Sequence, residues 1–454
     1  MIFESYDPYT RQKIAEYQPL SVSEIDLKLK RSQKAFQSWK ATDLDYRLQL
    51  LENLAKLIES DLDLLSVAMV KEMGKTITEA RAEVLKCATG IRFFIKQSPV
   101  WLAPEYVDSD ARLSMVCHQP LGGIFLVMPW NFPLWQVLRA AVPALCVGNV
   151  ILLKHAPNVF GYSLLIEDLF KKAGFPEGVF ENFLVGVSDI EQITASASVA
   201  AISLTGSEGA GRSMASIAGK YLKKCVLELG GSDPFIVMPD ADLPFAASMA
   251  AKARMINNGQ SCIAAKRFLV HETVEKDFTE LLIENLKLYV PANPMLPATL
   301  LGPQARPDLV ANLEVQLSKT LHQGAELLYK MDADFETGYF FLPVLLGHVQ
   351  PGMSCFDEEV FGPIASVCSF HNQEEVIQLA NQTKYGLGAS IYTSDETEAQ
   401  KMALQLECGT VAINAMVRSK PSLPFGGIKA SGYGRELSQY GLFEFSNAKT
   451  VTVG

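Results

Sequence analysis

The chain has 454 residues, 48% of them apolar, and a formal charge of −10. That length supports two or three domains with sizeable cores. The acidic balance argues against nucleic acid or an anionic membrane surface as the main partner, although local cations can still hold a small anionic substrate.

The first residues, Met1 to Asp7, show no basic-then-apolar leader, so no secretory signal is expected. No uninterrupted apolar run of about twenty residues implies a spanning helix. Eight cysteines lie scattered at 87, 117, 146, 225, 262, 355, 368 and 408, with no C-x-x-C pair. They read as reduced cytoplasmic thiols. The six histidines form no metal-type spacing, and no metal site is expected.

In chain order, Leu48, Leu51, Leu54, Leu57, Ile58, Leu62, Leu65 and Met69 recur at helical spacing, and Glu79 to Lys96 continues in that style. These read as packing helices. From Leu121 strands and helices alternate. Gly123 to Met128 is a strand, Leu134 to Leu145 a helix, Val150 to Leu153 a strand and Tyr162 to Lys172 a helix. Phe180 to Val185 and Val199 to Leu204 are strands with a short helix between them. Gly209 to Lys220 is a helix and Cys225 to Leu229 a strand. Such alternation implies parallel βαβ units with ligands beyond the carboxyl ends of the strands.

A second series starts at Phe235. Its strands are Phe235 to Met238, Phe268 to Val270, Ala365 to Cys368, Ala389 to Tyr392 and Val411 to Ile413. Its helices include Val274 to Leu288, Glu374 to Asn381 and Asp395 to Leu406. The junction falls near Gly230-Gly231. Tyr106 to Gln119 and Phe445 to Val453 are β-like and belong to neither series. Edge strands of this kind are often covered by another chain.

Cys262 stands in Asn257-Asn258-Gly259-Gln260-Ser261-Cys262, on a turn between a helix, Leu243 to Ile256, and a strand, Arg267 to His271. Gly259 permits close backbone approach. An electropositive or polar setting would favour the thiolate, the reactive form, whereas a small buried hydrophobe is the bland alternative. Thr205-Gly206-Ser207-Glu208-Gly209-Ala210-Gly211 ends a strand and opens a helix. It suits a pyrophosphate or is a plain glycine-rich turn. Glu228, between leucines, is a base of raised pKa or a solvated strand end. Asn131 can hold an oxyanion or simply form a turn before Phe132-Pro133. Lys154 can bind a ribose or phosphate, or reach solvent.

Together Pro129-Trp130-Asn131-Phe132-Pro133, Lys154, Gly206-Ser207 with Gly211, Glu228-Leu229-Gly230-Gly231, Asn258-Gly259-Gln260-Ser261-Cys262, Glu359-Val360-Phe361-Gly362-Pro363 and Pro424-Phe425-Gly426-Gly427 resemble the aldehyde dehydrogenase superfamily, in order, from Tyr6 to Gly454. The resemblance implies two Rossmann-like α/β domains and a small β flap for oligomerisation. Residues 1–104 and 124–229 would bind the dinucleotide, 230–433 would form the catalytic domain, and 105–123 with 434–454 would pair subunits into a homodimer or homotetramer. It implies Cys262 as nucleophile, Asn131 with the Cys262 N–H as oxyanion donors, and Glu228 as base for thioester hydrolysis. Trp130, Lys154, Gly206 and Ser207 would hold the adenosine and pyrophosphate, Glu359 with Phe361 the nicotinamide side, and Pro157 and Leu229 would also line the cofactor site.

Members preferring NAD carry a glutamate three residues after the lysine, but here Pro157 stands there. With no carboxylate to repel a 2′-phosphate, use of both NAD and NADP is expected. Trp135-Gln136-Val137-Leu138-Arg139 is similar to the short bacterial succinate-semialdehyde dehydrogenases. That similarity implies Arg139 as the anchor for a substrate carboxylate, beside Trp135 and Phe425. Ile256 replaces a second arginine found in other members, and Arg418, Ser419 and Lys420 are candidates for the missing contact. A medium-chain or aromatic aldehyde in an apolar pocket of Trp135 and Phe425 is the alternative. A CoA-acylating relative would normally lack Glu228. A silent binding protein on the same fold would not need Cys262, Glu228 and Asn131 together.

Overall fold

A computed structural model describes residues 2–335 and 337–454. Its first sheet has six strands, in the spatial order Gly432–Tyr433, Lys224–Glu228, Val199–Thr205, Gly123–Met128, Val150–His155 and Phe180–Asn182. All neighbours run parallel except Gly432–Tyr433, which is antiparallel to Lys224–Glu228. Gly123–Met128 comes first in sequence among the parallel strands, yet it sits in the middle. The chain winds outward to one side and returns to the other. The crevice at that reversal lies beyond the ends of Gly123–Met128 and Val199–Thr205. Asn131 and Ser207 follow those strand ends, and Glu228 and Lys154 lie at the ends of the flanking strands.

The second sheet has seven strands, ordered Glu326–Lys330, Val344–Gly347, Ile364–Phe370, Ala265–His271, Asp233–Val237, Gly388–Tyr392 and Thr410–Ile413. Only Glu326–Lys330 is antiparallel, on one edge. The parallel strands are near-continuous apolar runs because helices cover both faces. Gly432–Tyr433 adds to the first sheet, so the boundary expected after residue 433 falls later than the point where the chain leaves the second sheet.

The two β-like segments pair with each other. Ser446–Val453 runs antiparallel to Leu113–Pro120 over eight register pairs, and Glu105–Tyr106 lies on the far side of Leu113–Pro120. An additional N-terminal hairpin, Phe3–Tyr6 with Lys13–Tyr17, precedes the helix Val22–Trp39, whose start carries a Ser21–Glu24 capping box.

Four helices, Val22–Trp39, Leu44–Ser60, Leu62–Met73 and Ile77–Trp101, pack the first domain. The helix Trp135–Val147 is buried along its whole length. It lies within the largest apolar cluster, against Ile91, Phe94 and Leu442. Among the described residues no helix is long and apolar enough to cross a membrane.

Candidate active site

The helix Leu243–Met255 ends in a loop whose next three bends are left-handed. Asn257, Asn258 and Gly259 have φ of 53°, 58° and 77°. Asparagine and glycine tolerate that region, and side chains from several elements satisfy the loop's backbone. Glu79 accepts the Asn257 N–H at 2.9 Å. Asn258 donates to the Gly74 and Pro303 carbonyls and accepts from the Gly302 N–H. The buried Arg254 donates to the Gly259 carbonyl at 2.8 Å, and Lys266 donates to the carbonyls of Ser261, Cys262 and Ala264. A Cβ on Gly259 would fall on the Gly362 backbone.

This scaffold presents a half-buried Cys262. Burial pushes its thiol up to about 12, against the opposing pull of Arg139 and Lys266, while Glu359 and Glu228 push it further up. Desolvation therefore outweighs the nearby cations. Burial works against the thiolate there, and Arg139 and Lys266 work for it.

Glu228 ends its strand 2% exposed, and its Oε1 has no hydrogen-bond partner. Burial lifts its pKa to about 8, opposed by Arg139 and Arg435 and assisted by Glu436. Asn131 is buried, and its Nδ2 donates to the Gln260 carbonyl at 3.0 Å. Asn257 in turn donates to the Asn131 carbonyl at 2.8 Å. One Asn131 N–H thus fixes the amide to the cysteine loop, and its second N–H is left to spend.

Lys154 is buried with no acidic partner among the described residues, and burial alone lowers its pKa to about 8. Pro157 opens a single tight turn three residues on. Gly206 follows Val199–Thr205, and Ser207 caps the helix Glu208–Lys220 by accepting the Ala210 N–H. Leu229 packs against Gly211. Glu359 accepts the Gly231 N–H at 3.1 Å, and burial raises its pKa although Lys266 is near. Phe361 meets Trp130 edge-on at 5.9 Å, and the Arg306 guanidinium lies over Trp130. A desolvated ammonium without an acidic partner at one strand end, with a helix N-terminus after another strand of the same sheet, fits the phosphates and ribose of a dinucleotide. Among the described residues no group of His, Cys, Asp and Glu is arranged to hold a metal.

The substrate side departs further from expectation. Arg139 is 4% exposed and forms an ion pair with Glu436, and its Nη2 donates to the Thr205 hydroxyl at 3.0 Å. The pair engages Nε and the hydroxyl engages Nη2, so the guanidinium meets the site already held on two sides. Arg418 and Lys420 are exposed, and Arg418 lies near Met416 and Tyr392, so neither turns inward as the expected contact. Ser419 alone of that trio is buried. The Phe425 ring packs 5.2 Å from the Arg139 guanidinium carbon. Trp135 is buried beside Gly90, and its indole N–H donates to Ser419 at 3.0 Å.

The helix Ile77–Trp101, read from sequence as plain packing, serves the site with successive turns. Glu79 holds the cysteine loop. Glu83 accepts the N–H groups of Leu134 and Trp135, both at 3.0 Å, where the helix Trp135–Val147 begins. Lys86 reaches Ser419 and Trp135. The residues missing from the sequence reading are these three and Glu436. Their visible signal was the spacing of polar groups at 79, 83 and 86 on one helical face, which looks the same as a solvated face.

A cysteine held beside an unpartnered carboxylate and a fixed amide, at the crevice between two parallel-sheet domains, is the arrangement of a nucleotide-dependent aldehyde-oxidising enzyme. The chain belongs to the aldehyde dehydrogenase family, matched over residues 1–451. It is 45% identical to a probable NADP-dependent succinate-semialdehyde dehydrogenase of Synechocystis, covering 100% of each chain. It is 41% identical to an NAD(P)-dependent succinate semialdehyde dehydrogenase of Escherichia coli, covering 98% of this chain and 97% of the other. The crystal structure of succinic semialdehyde dehydrogenase from Streptococcus pyogenes with NADP superposes with a TM-score of 0.97. That protein is 34% identical, with 99% of each chain covered.

Proposed function

We propose that the protein oxidises succinate semialdehyde to succinate with NAD or NADP. The observation that carries this reading is the placing of Cys262 on a pinned loop beside the unpartnered, buried Glu228. The likeness to the Synechocystis and E. coli enzymes supports the substrate. Cys262 adds to the aldehyde carbonyl to give a thiohemiacetal. The second Asn131 N–H and the Cys262 backbone N–H receive the oxyanion. NAD or NADP, when bound, accepts the hydride. Glu228, once ionised, takes a proton from the water that hydrolyses the Cys262 thioester. Trp130, Lys154, Ser207 and Gly206 hold the adenosine and pyrophosphate, Leu229 lines the cofactor site, and Glu359 with Phe361 orients the ring that reacts.

The Arg139–Glu436 pair favours a second reading, an uncharged medium-chain or aromatic aldehyde held by Trp135 and Phe425. Steady-state efficiencies for succinate semialdehyde, butanal, hexanal and benzaldehyde, each with NAD and NADP, separate the two. Preference for succinate semialdehyde supports the first, and preference for hexanal or benzaldehyde supports the second. No turnover of any of them would favour a silent protein on this fold. The eight free thiols suit a reducing, cytoplasmic compartment. The exposed outer edge of Ser446–Val453 suits pairing into a homodimer or homotetramer.

A further inference from the structure

Lys266 is the second residue of the strand Ala265–His271 and is 1% exposed. Its Nζ donates to three carbonyls of the turn that carries the nucleophile: Ser261 at 3.2 Å, Cys262 at 2.8 Å and Ala264 at 3.0 Å. An ammonium has three N–H groups, so all of them are spent on this turn. The Ser261 carbonyl and the Cys262 N–H belong to one planar, trans peptide unit and point in opposite directions. A cation on that oxygen fixes where the N–H aims. It also draws electron density through the unit and strengthens the N–H as a donor. The Ala264 N–H reaches the same oxygen at 3.1 Å and closes the turn. The preceding peptide is held from the other domain, by Asn131 on the Gln260 carbonyl.

The charged groups facing Lys266 come from separate elements. Burial lowers its pKa and Arg254 adds to that, while Glu359, Asp233 and Cys262 oppose them. Asp233 flanks the turn closely, because a Cβ on Gly231 would touch both its carboxylate and the Cys262 carbonyl. At the sulfur, burial raises the pKa with Glu359 and Glu228 in the same sense, and Arg139 and Lys266 act against them.

We propose that Lys266 is the positioning residue of the nucleophile turn: from behind, it aims the Cys262 N–H at the oxyanion and lends its charge to the thiolate. This rests on the reading of Cys262 as nucleophile and of its N–H as an oxyanion donor. Glu359 and Asp233 keep the ammonium charged in a site that would otherwise neutralise it.

The test compares the wild-type protein with Lys266→Met, which removes charge and donors, and Lys266→Gln, which removes the charge and keeps an amide donor. Circular dichroism and NADP titration check folding. With succinate semialdehyde, Lys266→Met should lower kcat about tenfold to a hundredfold, somewhat less than the loss of an oxyanion donor outright. KM for aldehyde and cofactor should change little. Lys266→Gln should lose less. The second readout is alkylation of Cys262 by iodoacetamide at about pH 8, followed on the Cys262 peptide by mass spectrometry. Both variants lack the charge, so both should react about three- to tenfold more slowly. A turn that had merely loosened would expose the sulfur and react faster. If Lys266→Met does not fold, Lys266→Gln decides on the same two readouts. Unchanged kcat in a folded Lys266→Met, or alkylation unchanged or faster in the variants, overturns the proposal. Turnover retained by Cys262→Ala overturns instead the reading beneath it.

Discussion

Arg139 and Glu436 form an ion pair in which both side chains are almost wholly enclosed, at 3% and 2% exposure. Removing one partner strands the other charge in a desolvated site. Glu436→Gln is therefore expected to destabilise the fold by about 3–5 kcal/mol. The double variant Arg139→Met with Glu436→Gln should regain most of that loss. Urea denaturation of the two variants checks this. If the pair only supports the pocket, Arg139→Met alone lowers efficiency on succinate semialdehyde and butanal alike. A loss confined to succinate semialdehyde would restore Arg139 as the anchor.

Glu228 needs its ionised form to accept a proton, and burial holds its pKa at about 8. The sign follows directly. Below that pH the carboxyl is mostly neutral, so thioester hydrolysis should rise with pH and level off above about 8. Glu228→Gln removes this limb. It should give one burst of reduced cofactor per site and then stop, as read by rapid mixing at 340 nm. Steady turnover in that variant would exclude Glu228 as the base.

Most parallel strands were legible because they are short, largely buried apolar runs between turn residues, although Val344–Gly347 was not read. The strands at Gly123–Met128, Val199–Thr205 and Gly388–Tyr392 lie within a residue or so of their expected bounds. Glu326–Lys330 escaped because it is a partly exposed edge strand and lacks that signature. The helix Pro307–His322 was readable, with Leu313, Leu317 and Leu321 at helical spacing after an N-terminal proline, but went unread. The N-terminal hairpin is too short and too exposed to carry a period. Site residues at strand ends stood out because a polar group after an apolar run is unusual. Glu83 and Lys86 did not, because charge on a helix reads as solvated until the neighbouring helix is placed against it. The ion pair of Arg139 was hidden for a related reason: its partner Glu436 lies almost three hundred residues away.

Pro157 begins the turn after Val150–His155, near the unpaired Lys154. Pro157→Glu would bring a carboxylate to bind a ribose 2′-hydroxyl and repel a 2′-phosphate. The ratio of kcat/KM with NAD to that with NADP should rise about tenfold or more. No change, or a shift toward NADP, would place the adenosine ribose elsewhere.

Gly259 tests whether the cysteine loop must keep its shape. It is the third left-handed residue in succession, at φ 77°, and the only one of the three without a side chain. Alanine there carries a conformational cost of about 1 kcal/mol. Its Cβ also meets the Gly362 backbone, which cannot swing aside as a side chain can. Relief requires the loop to move, but Arg254 ties the Gly259 carbonyl and Lys266 ties those of Ser261 and Cys262. Gly259→Ala is therefore expected to destabilise the protein by about 2–4 kcal/mol in total. It should also cut kcat about a hundredfold through misplacement of Cys262. Cofactor affinity, assigned in the proposed function to Lys154 and the helix start at Ser207, should change little in fluorescence titration. If Gly259→Ala folds with unaltered stability and turnover, the pinned loop is not what positions the thiol.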